Sequence, residues 1–138
     1  MSARTKARKR ALDVLYESEL RGDTQLGSTL ADRIEVDEPP LNPYTVTLVE
    51  GVVAHLDSID RLLAVHAVGW TLERMPAIDR NLLRLAVFEI CHVDEVPDAV
   101  AVSEAVALAT SLSTEQSPGF VNGLLARIVQ EKPHLTVG

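Results

Sequence analysis

The stretch AIDRNLLRLAVFEICH, residues 77–92, decides the fold. Successive residues of an α-helix lie about 100° apart around the axis. On such a helix the apolar residues of this stretch cover well over half of the circumference, and only Arg80, Asn81 and Arg84 mark a consistently polar side. A helix that is apolar nearly all round is surrounded by other elements. We therefore predict that residues 77–92 form the central helix of a helical bundle.

Apolar residues recur every three or four positions on both sides of this stretch, which predicts further helices. The segment VGWTLERMP (68–76) reads as a connection with a short helical turn, and AVAVSEAV (99–106) as the one place where a short strand competes. Asn42 and Ser117 are typical helix N-caps because a proline follows each of them. The predicted helices span about 11–20, 26–36 (weaker), 43–56, 58–66, 77–92, 99–112 and 117–132. The fold class is therefore all-α, with about seven helices in a single domain over residues 1–138.

Inward sides are predicted for three of these helices, and a start is predicted for a fourth. Helix 43–56 is expected to place Val46, Val49, Val53 and Leu56 on one side. Helix 58–66 is expected to start with Asp57 or Ser58 as its cap, and the weaker helix 26–36 to turn Leu30 and Ile34 inward. The last helix is expected to bury Phe120, Val121, Leu124, Leu125 and Ile128.

Composition and length exclude several classes of protein. A chain of 138 residues can bury a sizeable core without disulfides. Its one cysteine, Cys91, has no internal partner, which is typical of a reduced, cytoplasmic protein. No apolar run reaches the roughly 18 residues of a membrane span. Asp13, Glu17 and Glu19 interrupt the place where a signal peptide would need its apolar segment.

Charge is distributed unevenly along the chain. The net charge is −7, yet residues 1–10 hold no acidic residue and five cations, which are Arg4, Lys6, Arg8, Lys9 and Arg10. Residues 11–138 then carry 8 basic and 20 acidic side chains, a net −12, which repels the phosphates of nucleic acid. Because the five cations would point all round a helix, we predict a frayed or disordered basic arm that orders on a polyanion. The alternative is a tail that only improves solubility.

Motifs for catalysis or metal binding are missing from the sequence. Neither GxxxxGK[ST] nor GxGxxG occurs, and His55, His66, His92 and His134 lack metal-ligand spacing. We therefore expect no enzyme activity, no metal and no cofactor.

Three side chains invite a functional interpretation. Phe120 lies in the first turn of the last helix, where a ring could stack on a base beside unpaired N–H groups. Core packing explains Phe120 equally well. Tyr16 joins an apolar stripe and needs a partner for its hydroxyl. Glu89 lies on the apolar side of the central helix, so it must be paired, hydrogen-bonded or turned to a partner protein.

Four stretches together resemble the NusB family of bacterial transcription antitermination factors. Their sequence looks most like that of actinobacterial members. They are ARKRALDVLYESEL (7–20), DRNLLRLAVFEI (79–90), VPDAVAVSEAVALATSLS (96–113) and SPGFVNGLLARI (117–128). The resemblance runs in order over nearly the whole chain. It implies two helical subdomains, about 11–68 and 69–138, and no catalytic activity.

The resemblance also implies partners and site residues. Members of the family bind single-stranded boxA RNA of ribosomal RNA leaders with NusE, a small-subunit ribosomal protein, in an antitermination complex on RNA polymerase. By resemblance the RNA-binding residues are Arg4, Lys6, Arg8, Lys9, Arg10, Tyr16 and Phe120, and the acidic residues facing NusE are Glu73 and Asp79. Gln116 replaces an acidic residue of some relatives. A protein-interaction module, or a detached domain related to those of RNA cytosine methyltransferases, is the alternative. Whether the chain is a monomer or a homodimer stays open.

Overall fold

The computed structural model describes residues 2–22, 30, 34 and 41–132 of the chain. Within these residues it contains no strand, and the all-α prediction is confirmed. A short 3₁₀ helix, Leu72–Arg74, lies in the predicted connection. The α-helices of the described residues are α1 Ala3–Leu20, α2 Pro43–Ala54, α3 Leu56–His66, α4 Ala77–His92, α5 Asp98–Leu112 and α6 Ser117–Glu131.

The expected helix 26–36 falls mostly outside the described residues. Leu30 and Ile34 are both helical. Leu30 is buried as predicted, whereas Ile34 is 51% exposed and so does not face the core. The residues 99–106 that could have formed a strand all belong to α5.

The helix α4 is the centre of the bundle, as predicted. It contacts each of the other five helices. Its buried apolar side chains are Leu82, Leu83, Leu85, Ala86, Val87, Phe88 and Ile90, none more than 7% exposed. Burying a side chain of this size contributes roughly 1.5–3 kcal/mol, so α4 is a main source of the stability of the fold. Asn81 is also buried, with its amide donating to the Ala77 carbonyl at 2.9 Å.

Local chemistry sets some helix starts and tertiary packing sets others. Asn42 caps α2 as predicted, since its side chain accepts a hydrogen bond from the Tyr44 N–H at 2.8 Å. The predicted start of α3 is wrong, because the helix begins at Leu56 with His55 as its cap. The Ser58 hydroxyl donates to the His55 carbonyl instead. Ser117 is the first residue of α6 and not its cap. Its side chain is buried, and its hydroxyl is hydrogen-bonded to those of Thr114 and Ser113.

The predicted inward side of α2 is only partly right. Val49 is buried, but Val53 is 38% exposed, and the buried positions of α2 are Thr45, Leu48, Val49 and Val52. Because α2 is apolar on more than one side, its sequence pattern does not determine which side is buried. Its neighbours do: the Thr45 hydroxyl donates to the Ala7 carbonyl at 3.0 Å, and Gly51 lies against the Phe88 ring. A Cβ added at Gly51 would come within 2.1 Å of that ring.

The inward side of α6 is predicted correctly, except for its first member. Val121, Leu124, Leu125 and Ile128 are fully buried, and Phe120 is half-buried. None of the described helices has the length and apolar character that crossing a membrane requires. The division into two subdomains stays a prediction.

Candidate nucleic-acid interface

The basic segment is helical in the structure. Helix α1 starts at Ala3, and the Ser2 hydroxyl caps it by accepting a hydrogen bond from the Thr5 N–H at 3.1 Å. The prediction of a frayed or disordered arm is therefore wrong for this structure. The reason is that part of the basic charge is held by the rest of the fold, as the following contacts show.

The five cations divide between two faces of α1. At about 100° per residue, Lys6, Lys9 and Arg10 fall within an arc of about 100°, and Arg4 and Arg8 lie on the opposite side. Lys6 and Lys9 are exposed, and the Arg10 side chain is 34% exposed with its guanidinium 4.0 Å from the Asp13 carboxylate. We call Lys6, Lys9 and Arg10 the outer cationic face. The five cations therefore do not share one face, as predicted, although these three do.

Arg8 is buried, and its guanidinium is occupied by carboxylates. It is only 4% exposed, and its Nε and Nη2 donate to both oxygens of Glu89 at 2.9–3.1 Å. Its Nη1 donates to Glu104 at 3.0 Å. Such bidentate pairing is the strong form of an ion pair. The expectation that Arg8 meets an RNA phosphate does not fit this geometry, because the guanidinium is buried and bound to two carboxylates.

Glu89 has its lone pairs satisfied, which confirms the structural interpretation of this buried carboxylate. Besides Arg8, it accepts a hydrogen bond from the Tyr44 hydroxyl at 2.5 Å. Burial and this hydrogen bond to Glu89 raise the pKa of Tyr44, so the phenol stays a neutral donor. Burial acts to lower the pKa of Arg8, but the hydrogen bond and the negative charge of Glu89 outweigh it and leave that pKa raised. The Arg8 guanidinium therefore stays charged.

Arg4 makes a more exposed version of the same contact. Its Nη2 donates to Glu95 at 2.7 Å, and its guanidinium lies 4.4 Å from the centre of the Tyr44 ring. The hydrogen bond to Glu95 raises the pKa of Arg4. Its side chain is still 43% exposed, so solvent reaches the charge. In exposure, Arg4 is intermediate between the buried Arg8 and the exposed residues Lys6 and Lys9.

Phe120 belongs to an aromatic pair near the surface. Its ring lies 5.0 Å from the Trp70 ring, centre to centre, at an interplanar angle of 58°. Both side chains are half-buried. Phe120 is therefore packed against the core without being enclosed by it.

The C-terminal end of α1 lies close to the connection that holds Trp70. Glu19 accepts hydrogen bonds from Arg80 Nε at 3.0 Å and Nη2 at 2.5 Å. The Arg80 Nη1 also donates to the carbonyls of Leu72 and Met75. Tyr16, which is half-buried, lies one turn before this end of α1. Arg80 thus joins the C-terminal end of α1 to the 3₁₀ helix Leu72–Arg74, which follows Trp70 closely in the chain.

The two acidic residues expected to face a partner protein differ in exposure. Glu73 is exposed in the 3₁₀ helix. Asp79 is fully buried, and its Oδ1 accepts a hydrogen bond from the Ser113 hydroxyl at 2.5 Å. Asp79 lies in the first turn of α4, where the helix dipole stabilises a carboxylate. The expectation that Asp79 contacts a partner does not fit this placement, because the side chain has no exposed surface.

Comparison with known proteins identifies the family. Residues 5–130 match the family model described as the NusB family. The chain belongs to the NusB family. A protein of Nocardioides sp. named transcription antitermination protein NusB is 58% identical over 135 residues, which cover 98% of this chain and 99% of the relative.

Solved structures agree with this membership. A crystal form of T. maritima NusB is 31% identical and superposes with a TM-score of 0.83, covering 94% of this chain and 92% of the other. A crystal structure of antitermination factors NusB and NusE in complex with dsRNA contains a chain that is 28% identical, with a TM-score of 0.78. The match covers 92% of this chain and 96% of that one.

Sequence reasoning missed several residues of this candidate site. Trp70 was interpreted only as part of a connection, although the single tryptophan of the chain follows Gly69, whose φ of 93° favours glycine. Tyr44 and Glu104, which hold Arg8 together with Glu89, had no sequence signal. Arg8 lies at least 36 residues away from each of them along the chain, so only the fold brings these side chains together.

Proposed function

We propose that this chain is an RNA-binding transcription antitermination factor that acts together with NusE. It belongs to a family without enzymatic activity. The observation that carries the proposal is the outer cationic face, a local positive surface on a body that is otherwise net negative. Such a surface attracts the RNA backbone, while the acidic body limits unspecific binding elsewhere.

The RNA contacts follow from the division of the cations. Lys6, Lys9 and Arg10 are proposed to meet phosphates, because lysine and arginine side chains on one helix face can follow one backbone. Arg4 is proposed to join them by exchanging Glu95 for a phosphate. Tyr16 and Phe120 are proposed to contact bases, since unpaired bases stack on aromatic rings. Arg8 is proposed to position α1, in place of a direct contact.

The RNA is proposed to be a single-stranded boxA-type element of ribosomal RNA leader transcripts. Aromatic side chains near the surface favour unpaired bases, because the bases of a duplex are already stacked on one another. A duplex remains the competing ligand, since a related NusB–NusE complex contains dsRNA. The test must therefore include both forms of RNA.

The protein partners are proposed from the acidic charge of this chain. NusE, as a basic ribosomal protein, suits an acidic surface, and Glu73 is exposed to meet it. Charge complementarity of this kind mainly steers and orients an encounter. A place in the antitermination complex on RNA polymerase and a cytoplasmic location belong to the same proposal.

An equilibrium titration tests this function. Labelled single-stranded boxA-type RNA, a scrambled strand and a matched duplex are titrated with the protein, with and without NusE, at several salt concentrations. We expect the boxA-type strand to bind most tightly, more so with NusE present, and with a negative salt slope. Equal binding of the boxA-type and scrambled strands would contradict boxA specificity. Tight binding of NusE with no RNA binding under any condition would favour the protein-interaction module.

A further inference from the structure

We propose that Trp70 is a second base-stacking residue, and that Trp70 and Phe120 together form one platform for unpaired nucleobases. This inference rests on the proposed RNA-binding function. It assigns a role to a residue that the sequence motifs leave out. Three features of the structure support it: the rings, the segment that holds them and the charge around them.

The first feature is the geometry of the two rings. Their centres are 5.0 Å apart and their planes meet at 58°, so they touch in a tilted arrangement and do not stack face to face. Each ring therefore keeps a face that the other does not cover. Both side chains are half-buried, and the indole N–H of Trp70 donates to no described residue. A flat ligand with hydrogen-bond acceptors would cover a ring face and satisfy this donor.

The second feature is that the segment carrying Trp70 is held at both ends. On one side, the Arg127 Nε donates to the His66 carbonyl at 3.1 Å. On the other side, the Arg80 Nη1 donates to the Leu72 carbonyl at 2.7 Å. The backbone on both sides of Trp70 is therefore anchored, which limits the ordering that binding has to supply.

The third feature is the charge around the pair. Phe120 lies in the first turn of α6, where the helix dipole is positive, and a Cβ added at Gly119 would meet no atom within 4 Å. Arg127 lies seven residues after Phe120, which places its guanidinium on nearly the same side of α6. The neighbouring turns also carry the acidic residues Glu73 and Glu115. Since the surroundings are not uniformly basic, stacking must supply most of the binding at this platform.

A protein partner is the competing occupant. Val65 and Val68 are 72% and 71% exposed just before Trp70, and exposed apolar side chains also suit a protein contact. The indole N–H, which donates to no described residue, the open first turn of α6 and Arg127 favour a nucleobase next to a phosphate. The experiment below separates the two.

The chain has one tryptophan, so its fluorescence reports on this site alone. The wild-type protein is titrated with single-stranded boxA-type RNA while tryptophan emission and the anisotropy of a labelled strand are followed in parallel. Inorganic polyphosphate, which has charge but no bases, is the control ligand. We expect RNA to quench the emission along the same curve as the anisotropy, and polyphosphate to leave the emission unchanged.

Two substitutions complete the test. Trp70→Leu should weaken RNA binding about 5- to 150-fold, the range for losing one stacked base, whereas Trp70→Phe should retain most of the affinity. Val68→Ala is the matched control on the same exposed connection, and its affinity should equal that of the wild type. The same loss in Trp70→Leu and Trp70→Phe would overturn the role in stacking, and circular dichroism shows whether each variant is folded.

The failures of the two proposals can be told apart. RNA that binds without changing the emission, and with equal affinity for Trp70→Leu, overturns the platform but leaves the RNA-binding function intact. An emission change caused by NusE alone, with no further change when RNA is added, overturns the platform in favour of a protein contact. If the wild type with NusE binds no RNA at all, the proposed function fails and the platform fails with it.

Discussion

The two faces of α1 carry cations of the same kind and use them differently. Arg8 on the inner face is 4% exposed and bound by Glu89 and Glu104, whereas Lys6 and Lys9 on the outer face are exposed. Five cations that lie within residues 4–10 are thus divided by the helix into a structural group and a surface group. Proximity in sequence therefore does not imply a shared role.

The division also changes the charge that a ligand meets. Arg4 and Arg8 engage the carboxylates of Glu95, Glu89 and Glu104, three of the acidic residues nearest to the basic segment. Neutralising these carboxylates leaves the outer cationic face with less opposing charge. We infer that the inner cations support the outer ones, both by fixing α1 on α4 and α5 and by reducing the local negative charge.

The largest expected effect comes from breaking the inner group. Arg8→Met should lower the free energy of unfolding by about 3–5 kcal/mol, because it leaves the Glu89 carboxylate buried without its cation. Urea unfolding measures this loss. Lys9→Met is the matched control on the outer face and should change stability by less than about 0.5 kcal/mol.

A double variant sharpens the interpretation of Arg8. Arg8→Met combined with Glu89→Leu removes both buried charges and should recover a large part of the lost stability. If Arg8→Met instead kept wild-type stability and lost RNA affinity, Arg8 would belong with the outer cations and the division of α1 would be wrong.

The next effect concerns the outer group. Replacing Lys6, Lys9 and Arg10 together by glutamine should reduce the salt slope of single-stranded RNA binding by about 2, roughly 0.7 for each lost phosphate contact. Stability should change little, because these side chains lie at the surface. RNA titrations at four salt concentrations, with unfolding curves of the same variant, measure both quantities. An unchanged slope would remove the outer cationic face from the RNA site.

Arg4 should show the smallest effect, because its ion pair is half-exposed and it supplies at most one phosphate contact. Arg4→Gln loses a half-exposed ion pair with Glu95, which is worth about 1 kcal/mol or less. It should also lower the salt slope of RNA binding by up to about 0.7 if Arg4 exchanges Glu95 for a phosphate. Glu95→Gln is the control, since it frees Arg4 and should leave the slope unchanged or steeper. A flatter slope for Glu95→Gln would argue against the exchange.

Much of the fold could be predicted from the periodicity of apolar residues. The limits of α4 are those predicted, and Asn42 caps α2 as its position before Pro43 indicates. The errors occur where local signals are ambiguous. Val53 was placed inside because α2 is apolar on several sides, and Ser117 was taken as a cap because a serine before proline usually is one.

The candidate site could be predicted only in part, for a related reason. Motifs pointed to Phe120, but Trp70 reaches it from 50 residues away along the chain. Asp79 was assigned to a surface by resemblance, and packing against Ser113 buries it. Burial of a polar side chain depends on what lies opposite, and this information is not contained in its own segment.

The amino-acid sequence by itself determined the helical class, the central position of residues 77–92, the charge imbalance and the resemblance to the NusB family. These follow from local pattern and composition, which do not require knowledge of contacts. Only the tertiary structure decided which cations are available to a ligand. Whether Arg8 faces water or Glu89 depends on α1 docking against α4, because a buried charge is stable only where the fold supplies its partner.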